Sequence, residues 1–377
     1  MPAMTCARRH LWFSHELCYF HDVGSGPAYL PVGPLVEPLR GFAADPDLRR
    51  AEGLVEVAGT MEHFARRTPQ PATDRELLSV HTDELVQRIE CLSAQGHGDA
   101  GSYAPVNYHS AQAARLAAGA AIQAAEEVMA GHGDAYCLIR PPGHHAEPDS
   151  AMALCLYNNV ALAARAAQRA GAARVMIVDW DVHYGNGISA AFADDPSVMY
   201  VSLHQSGLFP PGAGTLLETG HAGSPGTEIN VPLPPGCGDG AYLAVMDRIV
   251  APAARAFEPD VIMVGAGVDA CGHDPMGRMM VTSMGFHALT ERMVQLALTL
   301  CSGRILMVHE GGYSSWYQPL CVLAIANALA GLRPPYDPFL YLLGNLPGQS
   351  LQPHQERVIS HLEQRHPALA SPRQGEL

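Results

Sequence analysis

The sequence predicts an α/β protein with a mostly parallel central sheet and helices on both of its faces. Short apolar runs alternate with helical segments along the chain, and this alternation is typical of a parallel sheet. We expect residues 1–377 to form a single domain, with about 345–377 as a peripheral C-terminal helix and tail. The predicted strands are Asp134–Arg140, Arg174–Asp179, Val198–Leu203, Val261–Val268 and Arg304–His309.

The segments around these strands predict the elements that cover the sheet. Gly24–Pro46 is rich in proline and glycine, which favours a long surface loop, and a helix is expected over Asp47–Arg67. Ser110–Ala130 and Asn159–Ala170 are alanine-rich, and alanine is the strongest helix former. Both segments therefore predict helices packed against the sheet.

Composition limits the class of protein. Hydrophobic residues make up 48% of the chain and charged residues 16%, which indicates a packed domain rather than a disordered one. The formal net charge of −14 argues against non-specific binding to nucleic acid. Nine cysteines without a Cys-x-x-Cys pair favour reduced thiols and a cytoplasmic location. No signal-peptide core and no long apolar span is found, so no membrane partner is expected.

Polar residues gather where the predicted strands end. In extended chain, Asp181 and His183 project the same way, and Asp179 lies behind them on the same row. Asp269 directly follows a run of eight apolar residues. Ligands of parallel sheets bind outside the carboxyl ends of the strands. Although a lone Asp-x-His more often faces solvent, the combination of Asp181, His183 and Asp269 is typical of a catalytic metal site with open positions.

Two further strand ends carry candidate catalytic groups. His144 and His145 follow a turn rich in proline and glycine, and either imidazole could act as general base and acid. Tyr313 follows Glu310 and a pair of glycines and could donate a hydrogen bond to an oxyanion. Together with a metal, these groups predict hydrolysis of an amide or ester.

The ordered set of motifs resembles the zinc-dependent histone deacetylase superfamily, which includes bacterial acetylpolyamine amidohydrolases. The resemblance implies a single-domain arginase/deacetylase-like fold. Phe13–Cys18 and Leu30–Gly33 are most similar to the bacterial class II-like histone deacetylase-like amidohydrolases. The motifs that carry the match are Arg140–His145, Asp179–Gly187, Ser202–His204, Phe209–Gly212, Asp269 with Asp274–Gly277, and Glu310–Tyr313.

The resemblance also implies roles for individual residues. His144 would pair with Asp179 and act electrostatically, while His145 would be the general base and acid. Asn186 stands where some relatives have aspartate. An uncharged asparagine at this position would leave His145 less basic than an aspartate would. Tyr313 would assist the oxyanion. One zinc ion would be bound by Asp181, His183 and Asp269, and a potassium ion by Asp179, Asp181, His183, Ser202 and the Leu203 carbonyl.

Other positions bear on the substrate and the assembly. Ala153 and Leu154 replace a Gly-Phe pair common in relatives, so one aromatic wall of an acyl-lysine tunnel becomes aliphatic, while Phe209 keeps the other. Met276 falls where a polyamine-selective relative carries glutamate, which favours an acyl-lysine peptide or protein as substrate. The family pattern also makes a homo-oligomer the expected state.

Three alternatives stay open at the level of sequence. An acetylpolyamine amidohydrolase would need acidic contacts at the mouth of the site, which Asp99 or Glu147 could supply. A binuclear manganese ureohydrolase would need more carboxylates, and no aspartate stands two positions after Asp269. A non-catalytic binding module of the same fold would have lost a catalytic group, and none is missing.

Overall fold

An eight-stranded sheet forms the centre of the molecule, and each of its strands runs parallel to its neighbours. The computed structural model describes residues 10–21, 46–220, 224–366 and 368–369. In this part of the chain the strands are β1 (His10–Phe13), β2 (Phe64–Arg67), β3 (His97–Asp99), β4 (Gly101–Ser102), β5 (Pro105–Asn107), β6 (Asp134–Cys137), β7 (Ala151–Met152), β8 (Val175–Asp179), β9 (Val198–Gln205), β10 (Glu228–Leu233), β11 (Val261–Gly265) and β12 (Ile305–Val308).

The order of strands across the sheet is β10-β9-β8-β11-β12-β6-β1-β2. The neighbours β9, β8, β11, β12 and β6 therefore bring their carboxyl ends to one edge. Two small sheets lie outside: β3 pairs with β5 antiparallel, and β4 pairs with β7 in parallel.

Helices cover both faces of the sheet. The central strands are buried on both sides: Met176 and Val178 of β8 enter one hydrophobic cluster, whereas Val175 and Ile177 enter the other. This alternation is expected where successive side chains point to opposite faces. The described helices are α1 (Pro46–Val57), α2 (Asp74–Leu77), α3 (Asp83–Gln95), α4 (Ser110–Met129), α5 (Asn159–Arg169), α6 (Asn186–Phe192), α7 (Asp239–Val245), α8 (Ala251–Phe257), α9 (Ser283–Leu300), α10 (Gln318–Leu329), α11 (Leu340–Leu343) and α12 (Pro353–Arg365).

The helices divide between the two clusters, with α1 joining the helices of the C-terminal half. Residues of α3, α4, α5 and α6 build one cluster, and residues of α1, α7, α8, α9, α10 and α12 build the other. The C-terminal helix α12 is tied to the body by Arg248, which pairs with Glu356 at 2.7 Å and Glu363 at 2.5 Å. None of the described helices is long and apolar enough to cross a membrane.

The structure confirms the predicted fold class and corrects several boundaries. The strands predicted to reach Arg140, Val268 and His309 end at Cys137, Gly265 and Val308, because the residues beyond them leave the sheet to build a site. The end of β8 at Asp179 also changes one expectation, since Asp181 and His183 lie in a bend rather than in extended chain.

The helix expected over Asp47–Arg67 is wrong in its second half. Helix α1 ends at Val57, and Gly59 follows with a φ of 76°, a left-handed conformation that glycine adopts freely. A short 3-10 turn then leads into the edge strand β2. The predicted loop before α1 and the Leu30–Gly33 motif lie outside the described residues.

Gly119 and Gly53 give opposite predictions for the same substitution. Both lie within helices, where alanine normally stabilises by about 0.5–1 kcal/mol relative to glycine. A Cβ at Gly53 meets nothing within 4 Å, whereas one at Gly119 would overlap the backbone oxygen of Gln70. We expect Gly53→Ala to raise the free energy of unfolding and Gly119→Ala to lower it by about 1–3 kcal/mol.

Urea unfolding monitored by circular dichroism measures both variants against the unsubstituted chain. A stabilised Gly119→Ala variant would contradict the close packing of α4 on the Gln70 segment.

Candidate metal and catalytic site

The polar residues that follow the central strands converge at the carboxyl edge of the sheet. His144 and His145 come from the segment after β6, Asp181 and His183 from the bend after β8, and Asp269 from the segment after β11. All five side chains are at least 95% buried. The parallel order of the sheet, rather than proximity in the chain, brings them together.

Asp181, His183 and Asp269 form a buried group suited to a metal ion. One ligand atom from each lies within 4.8 Å of the others. His183 Nδ1 is 3.0 Å from Asp181 Oδ1 and 3.0 Å from Asp269 Oδ2. Two carboxylates and one imidazole are a donor set that zinc accepts in catalytic sites.

The hydrogen bonds around these carboxylates leave one oxygen available to a metal ion. Asp269 Oδ1 accepts from the backbone N–H of Val182 at 2.7 Å, whereas Asp269 Oδ2 has no well-aligned hydrogen-bond partner among the described residues, since the ring nitrogen 3.0 Å away, His183 Nδ1, is itself a candidate ligand. A buried carboxylate oxygen without a partner is costly unless a cation faces it. The residues present therefore fit a divalent cation.

His144 is held in a charged state by its neighbours. Its Nδ1 donates to Asp179 Oδ2 at 3.0 Å, and its Nε2 lies 3.7 Å from Asp181 Oδ1. Burial disfavours the charged imidazole, but the carboxylates of Asp181 and Asp179 outweigh it and raise the pKa of His144 to about 10. Asp179 Oδ2 also accepts from the Tyr200 hydroxyl at 3.2 Å.

His145 has the opposite electrostatic environment. Its Nδ1 pairs with the amide oxygen of Asn186 at 2.8 Å, and Asn186 begins α6. Burial, reinforced by the charge on His144, lowers the pKa of His145 well below its ordinary value. The two adjacent imidazoles, whose ring centroids are 4.0 Å apart, thus differ in protonation.

Tyr313 stands over the metal group and is fixed through its backbone. Its ring lies 6.4 Å from that of His183, and its N–H donates to Asp274 Oδ2 at 2.7 Å. Asp274 Oδ1 accepts from the N–H of Met276 at 2.8 Å, so one carboxyl group ties two loops together. Burial, with Asp269 nearby, raises the pKa of Tyr313 well above its ordinary value, which keeps the phenol protonated.

Glu310 fixes the turn that presents the two histidines. Its Oε2 accepts from the backbone N–H groups of Gly143 and His144 at 2.7 and 3.0 Å. Burial raises the pKa of Glu310 to about 8. The same buried side chain lies in a group with His144 and Cys155, where burial also raises the pKa of the thiol.

The residues predicted to contact substrate lie around this centre at different distances. Phe209 is edge-on to His145, with ring centroids 5.1 Å apart. Met276 is linked to Tyr313 through Asp274. Ala153 and Leu154 are buried, have positive φ values of 46° and 70°, and hydrogen-bond to Ser102 and Tyr103.

The residues predicted to bind potassium meet at the boundary of β8 and β9. Asp179 and Ser202 are direct partners in the parallel pairing of the two strands, and Leu203 follows. The Ser202 hydroxyl is 2.8 Å from His204 Nδ1. Asp179, Ser202 and Leu203 are therefore adjacent in space.

Three side chains near the site make contacts that the sequence did not predict. Asp274 and Glu310 lie within the motifs that sequence analysis noted, yet their role is to accept backbone N–H groups, which no side-chain pattern reveals. Glu147 was considered as a mouth residue, but its carboxylate accepts from the Asn186 amide at 2.7 Å. A carboxylate two residues after a histidine pair was the only available signal.

The domain is a parallel α/β fold with one buried pair of imidazoles and a group of candidate metal ligands at the carboxyl edge of its sheet. This is the architecture of metal-dependent amide hydrolases. The model of the histone deacetylase domain matches residues 47–329. The chain is 43% identical over 331 residues to a histone deacetylase-like amidohydrolase of Pseudomonas aeruginosa, covering 86% of this chain and 87% of that protein. It is 37% identical over 288 residues to a probable deacetylase of Archaeoglobus fulgidus, covering 76% and 78%.

A solved structure agrees with the sequence relatives. The crystal structure of the HDA15 HD domain superposes with a TM-score of 0.82 at 33% identity, covering 94% of this chain and 95% of that one. The chain therefore belongs to the histone deacetylase family and is a hydrolytic deacetylase, as the motifs predicted. Zinc is the metal typical of that family.

Proposed function

We propose that this deacetylase removes acetyl or related acyl groups from the side-chain nitrogen of lysine in peptides or proteins. The observation that carries this proposal is that the acidic side chains a polyamine would need already accept hydrogen bonds within the chain. Asp99 Oδ1 accepts from the N–H groups of Gly101 and Ala104, and Glu147 Oε1 accepts from Asn186. Met276, two positions after Asp274 and hydrogen-bonded to it through its backbone N–H, carries no charge.

The proposed chemistry assigns a separate role to each group. Asp181, His183 and Asp269 would hold one zinc ion, which when bound polarises the acyl carbonyl and acidifies water. His145, neutral and with Nδ1 committed to Asn186, accepts the proton of the attacking water at Nε2 and returns it to the leaving amine. His144, charged beside Asp179, stabilises developing negative charge, and Tyr313 donates its hydroxyl to the oxyanion.

The acyl-lysine tunnel is proposed to have one aromatic and one aliphatic wall. Phe209 supplies the aromatic wall beside His145. Leu154 supplies the other; it is buried but belongs to neither hydrophobic cluster of the core. An aliphatic wall clamps the lysine stem more weakly than an aromatic ring, which favours tolerance of different acyl groups.

Four other features remain predictions. We propose potassium binding by Asp179, Asp181, His183, Ser202 and the Leu203 carbonyl, a homo-oligomeric state, a cytoplasmic location and a bacterial origin. The cytoplasmic location is supported by the absence of disulfides among the described cysteines. Potassium titration of activity and sedimentation velocity test the first two.

The substrate proposal is tested by comparing two classes of acylated amine. We expect kcat/KM of the zinc-loaded enzyme to be higher for acetyl-lysine peptides than for mono-acetylated polyamines, because Asp99 and Glu147, the two acidic side chains considered for contact with a second amine, already accept hydrogen bonds within the chain. Chelated enzyme is the blank. A preference for polyamines would overturn the proposal and establish the runner-up, an acetylpolyamine amidohydrolase, which the net charge of −14 would suit.

Two alanine substitutions, at Asp181 and at Asp274, together test the assignment of the metal ligands. Asp181→Ala removes a ligand, so we expect loss of both bound zinc and activity. Asp274→Ala removes no ligand and releases the backbone N–H groups of Tyr313 and Met276, so it should keep the zinc while kcat falls about 10- to 100-fold through misplacement of the phenol. Metal analysis by atomic emission, run beside kinetics, separates the two; zinc retained at the unsubstituted level in Asp181→Ala would remove that residue from the ligand set.

Leu154→Phe tests the proposed tunnel wall. The larger aromatic side chain should strengthen contact with the lysine stem and narrow the range of accepted acyl groups, since space at the wall decreases. The measurement is kcat/KM for acetyl, propionyl and butyryl-lysine peptides. An acyl preference identical to that of the unsubstituted enzyme would show that Leu154 does not face the acyl group.

A further inference from the structure

Glu147 lies at the end of a hydrogen-bond chain that reaches the proposed general base. His145 Nδ1 pairs with Asn186 Oδ1 at 2.8 Å, and Asn186 Nδ2 donates to Glu147 Oε1 at 2.7 Å. Glu147 is half-buried. Its backbone is fixed by two hydrogen bonds, because its N–H donates to the carbonyl of Ser150 and its carbonyl accepts from His81 Nδ1 at 3.1 Å. The carboxylate is therefore held against the amide rather than left in solvent.

The orientation of the Asn186 amide decides which nitrogen of His145 carries the proton. With the amide oxygen facing the ring, Nδ1 is a donor and Nε2 is free to accept a proton from water. A flipped amide would present N–H to Nδ1, which would then have to accept, so the proton would move to Nε2. In that tautomer His145 could not act as a base.

The surroundings of the amide nitrogen favour the productive orientation. Besides Glu147, two weaker acceptors face Asn186 Nδ2: the His145 carbonyl at 3.5 Å and Met152 Sδ at 3.7 Å. The bond to Glu147 is the shortest and the one to a charged acceptor, and such bonds are roughly twice as strong as neutral ones. The carboxylate thus contributes most of the preference between the two amide orientations.

We propose that Glu147 is a positioning residue that holds the Asn186 amide, and through it the reactive tautomer of His145. The proposal rests on the proposed role of His145 as general base. It explains why an acidic side chain beside the site need not serve a cationic substrate. An aspartate at position 186 would not need such a residue, because a carboxylate offers an acceptor oxygen in either orientation.

A double-mutant cycle tests this role. In the enzyme with Asn186, we expect Glu147→Ala to lower kcat about 10-fold, with KM and zinc content unchanged, because the amide is free to flip. In the Asn186→Asp background the same substitution should leave kcat unchanged or raise it, because the carboxylate cannot be misoriented and a carboxylate–carboxylate contact is removed. A merely structural role for Glu147 predicts an equal loss in both backgrounds, and that outcome overturns the proposal, as does full kcat in Glu147→Ala.

Asp149→Ala is the matched control, since Asp149 is an exposed carboxylate on the same turn. It should keep the kcat of the unsubstituted enzyme; a loss equal to that of Glu147→Ala would show a general charge effect instead. If Glu147→Ala does not fold, Glu147→Gln repeats the cycle with an isosteric side chain, and because its amide oxygen still accepts as a weaker neutral acceptor, we expect a smaller loss of kcat with Asn186 and again no loss in the Asn186→Asp background. The kcat ratios of the cycle are measured on whichever acylated amine the enzyme hydrolyses, so a wrong substrate assignment does not affect the test. If the unsubstituted enzyme is inactive on every substrate, the proposed function is wrong instead.

Discussion

The concentration of buried carboxylates at the carboxyl edge of the sheet is the constraint on which the rest of the site depends. Removing an ionised carboxylate from water costs several kcal/mol unless hydrogen bonds or opposite charge replace the solvent. The chain supplies backbone N–H groups wherever its loops permit: Val182 to Asp269, Gly311 to Asp181, and Tyr313 to Asp274. The residual negative charge is what a divalent cation would neutralise. The carboxylates concerned are Asp179, Asp181 and Asp269, while burial raises the pKa of Asp274 and of Glu310 to about 8, so these two carry less charge near neutral pH.

The same constraint determines where side chains must be absent. A Cβ at Gly267 would overlap Asp181 Oδ2, and a Cβ at Gly311 would overlap Asp269 Oδ2. Gly311 cannot be replaced without losing the approach of its N–H to Asp181, at 2.8 Å. Gly311 is thus required by close contact of backbone with carboxylate, whereas Gly312 has a φ of 145° and a Cβ there would overlap the Val268 side chain.

The parts of the fold that strong local patterns encode could be predicted from the sequence. The buried apolar strands and the alanine-rich helices were predictable because both periodicity and composition favour them. The edge strand β2, with the sequence Phe-Ala-Arg-Arg, has too little apolar character to be recognised. In the site, the metal-type ligands were visible as residue types at strand ends. The partners of Asp274 and Glu147 were not, because a backbone N–H or an amide orientation leaves no mark in the sequence.

The histidine pair shows how little side-chain chemistry is needed to separate two roles. His144 and His145 are adjacent and equally buried, so desolvation alone would keep both neutral. The Asp179 carboxylate compensates for burial at His144, while the Asn186 amide gives His145 a hydrogen bond without a charge. An amide, unlike a carboxylate, has a donor as well as an acceptor, and its orientation must come from elsewhere. Replacing the carboxylate at position 186 by an amide therefore leaves the base neutral and makes the tautomer depend on what faces the amide nitrogen, which in this chain is Glu147.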